Sequence, residues 1–408
     1  MNQLFNESEQ LVYDICKKSF LSLWSYANPL GKNLKELCDT LIVCDPDIII
    51  ISVKDIQITD SGDISTDSKL WRKRAIDASV KQIYGAERWI EGASHVIRSD
   101  GSVGIRLPEK RNRRIHRVAI ALGDQGKAPI SFGDFGKGFI HVFDKVSLNI
   151  IMGELDTIRD FVEYLSAKEI LYLSGKKTLF HGGEEDLLAI YLHEGRQFPD
   201  KFDVFVVDDT LWGGFKESEV YKAKKEADEI SYAWDRLTEI LCKDILHGNL
   251  EFGSELNDSE IAVRTMARED RFGRRLLGKS FIEFYELARQ TKVRSRMVLG
   301  TSNITYVFLC MPHGEDRSYR KAELGGRCLV ARGLNKDRDT VIGLATEKYE
   351  KGKGFSFDLL YLNIPKWTDE LQEQIEYAQK EFGYFANPQS IQIHEDEYPQ
   401  EEKNEKNR

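Results

Sequence analysis

ELCDTLIVCDPDIIIISVKD, residues 36–55, is the stretch of this sequence that decides the fold of its N-terminal part. Two apolar runs, LIVC at 41–44 and DIIIISV at 47–53, flank the turn-forming residues Asp45-Pro46-Asp47. Apolar runs of this length around a short turn predict two adjacent strands joined as a hairpin. The second run is apolar at nearly every position, which indicates a central strand buried on both faces.

Polar residues stand at the ends of this hairpin. Asp39 opens its first strand, and Lys54 ends its second. A helix predicted over 6–20 carries Glu9 on its apolar face, where a carboxylate is costly unless it is paired or binds a metal. Hydrolysis of a phosphodiester needs a hard cation held by oxygen ligands, and a nearby lysine can stabilise developing charge. These residues therefore form a candidate metal site.

The remaining elements complete an α/β N-terminal core and an α+β C-terminal half. In the N-terminal part we expect helices over 6–20, 71–91 and 147–168, and strands at 20–27, 41–44, 47–53, 118–122 and 138–144. Farther on we expect helices over 185–192, 217–246, 259–290 and 368–382, and strands at 202–209, 304–311, 327–332, 340–346 and 355–362.

The 408 residues suffice for two or three domains. We expect a nuclease-like α/β core over 1–168, a connecting α/β segment over 169–216, and a helical α+β domain over 217–394 that senses, oligomerises or positions substrate. The charged tail over 395–408 is expected to be disordered.

Residues 5–145 resemble the PD-(D/E)xK superfamily of restriction-endonuclease-like nucleases, in its nuclease-related and Holliday-resolvase-like branch. The resemblance implies a restriction-endonuclease-like core, a mixed central sheet flanked by helices. It also implies Mg²⁺ or Mn²⁺ as cofactor, Glu9 as the helix acid, Asp39 as the central metal ligand and Lys54 as the catalytic lysine. A glutamine on the following helix often assists in this family, and Gln82 stands at a fitting place.

The sequence departs from the family pattern at Ser52, where an acid normally stands two residues before the lysine. Glu36 is the better substitute for that acid, because Asp55 would point away from the Lys54 face of the strand. Val53 completes the expected metal set. The alternative is a catalytically degenerate nuclease fold that binds nucleic acid or acts as a scaffold.

Structural explanations compete with these functional ones. Glu9 lies three residues after Asn6 and could complete a helix capping box instead of binding metal. Asp39 could be a turn acid and Lys54 a charge at a strand end. Gln82 could be a solvated helix residue.

A basic segment over 104–117 predicts contact with nucleic acid, and with DNA in particular. It lies in the expected loop before a core strand, beside the proposed site, and phosphates could be bound by Arg106, Lys110, Arg111, Arg113, Arg114 and Arg117. A solvated loop would have the same composition. The chain's net charge of −9 excludes a protein that coats nucleic acid, but it allows a local basic groove.

GRRLLGKS at 273–280 matches the P-loop pattern letter for letter. A P-loop requires a preceding buried strand and small residues that let the backbone wrap a phosphate. The preceding segment is charged and helical in pattern, and Arg-Arg-Leu-Leu fills the loop. We interpret the match as coincidence. The arginines from Arg264 to Arg275 alternate with Glu269 and Asp270, which ion pairs explain as well as ligand binding does.

The six cysteines contain no C-x-x-C pair, which argues against a zinc knuckle or a redox motif. Cys38 and Cys44 lie in a strand-like segment and are expected to be free buried thiols, which fits a reducing cytoplasm. The sequence shows no apolar run long enough to span a membrane and no signal peptide pattern at its start. The family resemblance adds an expected role in restriction or antiviral defence, as a homo-oligomer or with a partner subunit.

Overall fold

The computed structural model describes residues 6–124, 132–175, 177–202, 204–248, 256–354, 356–389 and 395–399. The chain divides into two compact units, Met1–Tyr221 and Lys222–Arg408. The expected C-terminal domain, starting at residue 217, begins five residues before this division. The expected connecting segment, 169–216, belongs to the first unit.

The strands of the first unit are β1 (Ser25–Ala27), β2 (Thr40–Cys44), β3 (Asp47–Asp55), β4 (His95–Ile97), β5 (Val103–Arg106), β6 (Arg114–Leu122), β7 (Gly133–Asp134), β8 (Phe139–Phe143), β9 (Lys177–Phe180) and β10 (Val204–Val207). A mixed six-stranded sheet forms the centre of this unit, in the order β1-β2-β3-β6-β8-β7. Strands β1 to β3 are antiparallel, β3, β6 and β8 are parallel, and β7 is antiparallel to β8. Two two-stranded sheets, β4-β5 and β9-β10, accompany it.

Helices flank this sheet, as expected for an α/β core. The helices are α1 (Glu7–Phe20), α2 (Ile64–Arg72), α3 (Ala78–Ile90), α4 (Lys145–Glu154), α5 (Ile158–Leu173), α6 (Glu184–His193), α7 (Leu211–Glu217) and α8 (Glu219–Asp228), the last of which crosses the division between the units. Helix α3 packs on β3 and β6, α1 packs on β2 and β3, and α4 packs on β6 and β8. The mixed α/β class with a mixed central sheet is confirmed.

The predicted hairpin is present. Strands β2 and β3 pair in register from Thr40 with Ile51 to Cys44 with Asp47. Every residue of β2 is buried, and β3 is buried from Asp47 to Val53. Both faces of β3 are covered, which explains why its sequence is almost continuously apolar.

Three predicted elements of this unit differ from the observed ones. The strand expected over 20–27 is confined to β1, because α1 includes Phe20 and the chain turns at Leu21, whose φ is 68°. The helix expected over 147–168 is divided into α4 and α5. The Thr157 hydroxyl accepts a hydrogen bond from the Asp160 backbone N–H and caps the start of α5. The helix expected over 71–91 starts earlier, with α2, and continues through a π-helical stretch into α3.

The elements of the second unit are α9 (Tyr232–Leu246), α10 (Leu256–Ala267), α11 (Arg271–Gln290), β11 (Ser295–Leu299), β12 (Ile304–Met311), α12 (Arg317–Leu334), β13 (Thr340–Glu347), β14 (Asp358–Asn363) and α13 (Asp369–Phe382). Its strands form a four-stranded sheet, β11-β12-β13-β14, in which only β12 and β13 are parallel. Helix α12 connects these two strands. This arrangement is the expected α+β class.

The strand predicted at 327–332 is wrong, because those residues belong to α12. The segment looks like a strand because it is short and apolar. Leu324, Cys328 and Ala331 nevertheless recur at helical spacing and are all buried in the core of this unit. The helix expected over 217–246 divides into α8 and α9, and the helix expected over 259–290 divides into α10 and α11.

The beginning of the charged tail contacts α11. Arg275 Nη2 donates to the backbone carbonyl of Asp396 at 2.6 Å, and Lys279 forms an ion pair with Glu395. These contacts order the first residues of a segment for which disorder was expected, and residues 400–408 lie outside the described residues. Cys38 and Cys44 are free and buried, as predicted, and so are the other four cysteines. Over the described ranges, no helix has both the length and the apolar character needed to cross a membrane.

Candidate metal-dependent active site

Asp39 lies at the centre of the candidate site. It immediately precedes β2 and is 2 % exposed. Its Oδ2 accepts hydrogen bonds from the Val53 backbone N–H at 2.5 Å and from Lys54 Nζ at 3.3 Å. Its Oδ1 accepts one from Gln82 Nε2 at 3.1 Å. The turn-acid alternative does not account for these contacts, since three come from β3 and α3, outside the Asp39 turn.

Lys54 points its ammonium group into a set of oxygen atoms. In addition to Asp39, Nζ donates to the Val53 carbonyl at 2.9 Å and to Gln82 Oε1 at 3.0 Å. Ser52 lies two residues earlier on the same face of β3, and its hydroxyl donates to the same Gln82 Oε1 at 2.7 Å. The structure therefore brings Asp39, Lys54 and Gln82 together, as the sequence predicts.

Two further carboxyl groups stand beside Asp39. Burial, a hydrogen bond with Asp39 and the charges of Asp39 and Glu9 raise the pKa of Glu36 to about 7. Burial and the Asp39 charge also raise the pKa of Glu9, against the opposing effect of Lys54. Glu36 thus occupies the place expected of the substitute acid. Asp55 instead accepts hydrogen bonds from Ser8 at 2.5 Å and Gln57 at 3.1 Å.

Both interpretations of Glu9 have structural support. Its carboxylate accepts a hydrogen bond from the backbone of Asn6, which caps α1, so half of the reciprocal capping arrangement is present. Glu9 also lies close enough to Asp39 and Lys54 for their charges to affect its pKa. Capping and a position beside the site are therefore compatible.

The composition of the site fits a hard cation held partly by water. Three carboxyl groups meet one ammonium group, and burial together with the neighbouring carboxylates raises the pKa of Glu36 to about 7. Within the described ranges, no three His, Cys, Asp or Glu side chains are arranged to hold a metal ion by themselves. Mg²⁺ commonly uses one or two protein carboxylates and completes its shell with water and substrate phosphate. Asp39, Glu36 and the Val53 carbonyl supply oxygen donors of that kind.

The part of the expected nucleic-acid-binding segment that begins β6 lies away from this site. Strands β3 and β6 pair in parallel from Asp47 with Arg114 to Lys54 with Ala121. Seven strand positions separate the two pairs, which corresponds to about 23 Å. Arg114 therefore stands at the opposite end of the sheet from Lys54. The prediction of a basic group next to the site is therefore not met at Arg114, because a parallel partner strand places its first residues beside the first residues of β3.

Several of these basic residues have structural partners instead. Arg113 donates to the backbone carbonyls of Pro108, Ile90 and Ala93 at 2.5–2.9 Å, which binds loops together. The structure also pairs Arg111 with Glu109, Arg114 with Asp47, and Arg117 with Glu87. Arg114 and Arg117 lie on β6 and Arg106 on β5, rather than in a loop. Arg106 and Lys110 are exposed, and their contact with nucleic acid stays a prediction.

The P-loop match lies entirely within α11. Residues 273–280 are helical, so no loop exists there to surround a phosphate. Arg274 is 1 % exposed and donates to Asp235 Oδ1 at 2.8 Å, and Arg275 is equally buried and paired with Asp228. The interpretation as coincidence is confirmed, and the ion-pair explanation of the arginine cluster holds for these two residues.

Ser52 is the site residue whose role the sequence does not predict. In the sequence, Ser52 stands out only because the family pattern has an acid at this position. The sequence offers one signal for this role, the position of Ser52 two residues before Lys54, because strand geometry puts both side chains on one face. Its partner Gln82 lies 30 residues away on α3, and no local pattern connects the two.

Comparisons with known proteins give no match, so the site is described from its own geometry. No protein-family model, no curated protein and no solved structure matches the chain.

Proposed function

We propose that the first unit is a metal-dependent nuclease that hydrolyses phosphodiester bonds of DNA or RNA. One observation carries the proposal: Asp39, Lys54 and Gln82 form a closed set of hydrogen bonds with two more carboxyl groups beside them. The restriction-endonuclease-like fold belongs to the same proposal. The mixed sheet, with a hairpin that carries the acid and the lysine, supports it.

Each residue has a chemical task in this proposal. Asp39 and Glu36 would hold Mg²⁺ or Mn²⁺ together with the Val53 carbonyl, and Glu9 would add negative charge nearby. The bound ion would polarise water and the scissile phosphate. Lys54 would orient the attacking water and stabilise the negative charge that develops on the phosphate. Gln82 would fix the positions of Asp39 and Lys54, because its amide bonds to both.

Substitution of the two central residues tests the proposal. Asp39→Asn removes a charged ligand and Lys54→Met removes the ammonium group, and we expect each to lower metal-dependent cleavage at least about 100-fold. The assay uses the full chain with Mg²⁺ or Mn²⁺ on single- and double-stranded DNA and RNA. Circular dichroism and thermal unfolding report whether the variants fold.

Lys81→Met is the matched control for Lys54→Met. Lys81 is an exposed lysine on α3, next to Gln82 in sequence. We expect wild-type cleavage from this variant. Full activity in both Asp39→Asn and Lys54→Met would contradict the proposed function.

A second candidate is a degenerate nuclease fold that binds nucleic acid or serves as a scaffold. Ser52 favours it, since the acid of the family pattern is absent from β3. Binding of DNA or RNA by gel shift, with no metal-dependent cleavage of any of the four substrates, would support this candidate over the first.

A further inference from the structure

Ser52 and Gln82 form a pair at the point where the family pattern has an acid. Ser52 is fully buried on β3, and Gln82 reaches it from α3. The only hydrogen atom of the Ser52 hydroxyl is donated to Gln82 Oε1 at 2.7 Å. Lys54 Nζ donates to the same oxygen at 3.0 Å. Two donors therefore meet one amide oxygen.

These contacts determine the orientation of the amide. With Oε1 toward Ser52 and Lys54, the Nε2 group faces the Asp39 carboxylate and donates to Oδ1 at 3.1 Å. A reversed amide would place its N–H donors against the Lys54 ammonium and its oxygen against a carboxylate. Both reversed contacts are repulsive, because the first joins two donors and the second joins two acceptors.

We propose that Ser52 is a positioning residue that fixes the Gln82 amide, so that Gln82 holds Asp39 and Lys54 in place. This inference rests on the proposed function, because it assigns Ser52 a role in the same reaction. It also explains why position 52 has a serine where the family pattern has an acid. A carboxylate at position 52 would face the Gln82 oxygen and repel it, whereas a hydroxyl donates to it.

The test compares Ser52→Ala with Ser52→Thr, which keeps a hydroxyl and suits a strand. We expect Ser52→Ala to lower kcat about tenfold with KM for nucleic acid unchanged, and Ser52→Thr to recover most of the loss. Because Ser52 acts through Gln82, the double variant Ser52→Ala/Gln82→Ala should be no slower than Gln82→Ala alone. Additive losses in the double variant would overturn the inference.

Ser79→Ala is the matched control for the loss of a buried hydroxyl. Ser79 is also fully buried, lies on α3, and donates to the Ala75 carbonyl of its own helix at 2.8 Å. We expect Ser79→Ala to leave kcat unchanged. An equal loss of kcat in Ser79→Ala and Ser52→Ala would mean that packing alone is responsible, and would overturn the inference.

A second measurement needs neither metal nor activity. Acetylation of lysines by an N-hydroxysuccinimide ester is followed by mass spectrometry, with the exposed Lys81 as internal reference. Without the Ser52 hydroxyl, the Gln82 amide can rotate and its hydrogen bond with Lys54 weakens. Ser52→Ala should therefore raise the acetylation rate of Lys54 several-fold, and Ser52→Thr should not. An unchanged Lys54 rate in Ser52→Ala would overturn the inference. If the wild-type chain cleaves nothing, the proposed function fails while this measurement still decides the role of Ser52.

Discussion

Glu36 is exposed as a whole residue, but its carboxyl group is partly buried where it hydrogen-bonds with Asp39. Burial and the neighbouring carboxylates raise its pKa from 4.5 to about 7. The folded state therefore binds this proton more tightly than the unfolded state does. The resulting stabilisation is fully present below pH 4.5 and is lost as the pH rises through about 7.

Glu36→Gln should remove this part of the pH dependence. Without metal at pH 8, the wild-type Glu36 is charged beside Asp39, so the variant should melt about 1–3 °C higher. Solvent screening keeps the effect small. At pH 4.5 the difference between the two proteins should shrink or reverse. Thermal unfolding in a chelator from pH 4.5 to 8 measures both melting curves.

Glu91→Gln is the control, since it removes an exposed carboxylate just after α3. Its melting temperature should follow the wild-type pH profile. A Glu36→Gln profile parallel to that of the wild type would contradict a raised pKa of Glu36 in the folded protein.

The central pair of the site was predictable because it depends on short-range rules. Asp39 and Lys54 end two strands joined by a tight turn, so the hairpin alone brings them together. Glu36 followed from its distance of three residues from Asp39. The bonds of Ser52 to Gln82 and of Arg117 to Glu87 each join residues 30 positions apart. Such contacts depend on how α3 packs on the sheet, which no local pattern specifies.

Among the elements, α11 shows how packing decides between two interpretations of one motif. Arg274 stands inside the P-loop match and donates to Asp235 and to the backbone carbonyls of Glu269 and Ala267. Lys279, the residue that would bind phosphate in a P-loop, has a side chain that is 41 % exposed and pairs with Glu395. The buried arginine is therefore the structural residue, and the lysine lies at the surface.

Arg274→Ala and Lys279→Ala should differ widely in stability. Loss of Arg274 leaves two backbone carbonyls and part of the Asp235 charge buried without a donor, and should cost about 3 kcal/mol. Loss of the exposed Lys279 pair should cost less than about 1 kcal/mol. Urea unfolding measures both changes, and ATP or GTP should not stabilise the wild-type protein. Equal losses of stability, or stabilisation by nucleotide, would contradict the helical interpretation of this motif.

The wrongly predicted strand at 327–332 illustrates a limit at the same scale. A short apolar run has too few residues to distinguish a period of two from a period of 3.6. Helical spacing appears in the ion pair of Glu323 with Arg327, four residues apart on α12. It also appears in the burial of Leu324 and Cys328. A longer window that began at Arg317 would have favoured the helix.

At the scale of the whole molecule, each unit has a hydrophobic core of its own. In the first unit the apolar residues of β3, β6 and β8 are almost fully buried between helices. In the second unit a separate core joins the parallel strands β12 and β13 to α12. Units with separate cores commonly unfold as separate cooperative transitions.

Differential scanning calorimetry of the full chain should therefore show two transitions that respond to different perturbations. Mg²⁺ binds only the folded first unit in the proposed function, so it should raise one transition, with a stabilisation of about 2.7 kcal/mol at 100 times its Kd. Arg274→Ala should lower only the other transition, because Asp235 lies in the second unit. Asp39→Asn is the control for Mg²⁺, since it removes the central ligand and should abolish the first shift. A single transition moved by both Mg²⁺ and Arg274→Ala would instead mean that the two units unfold as one.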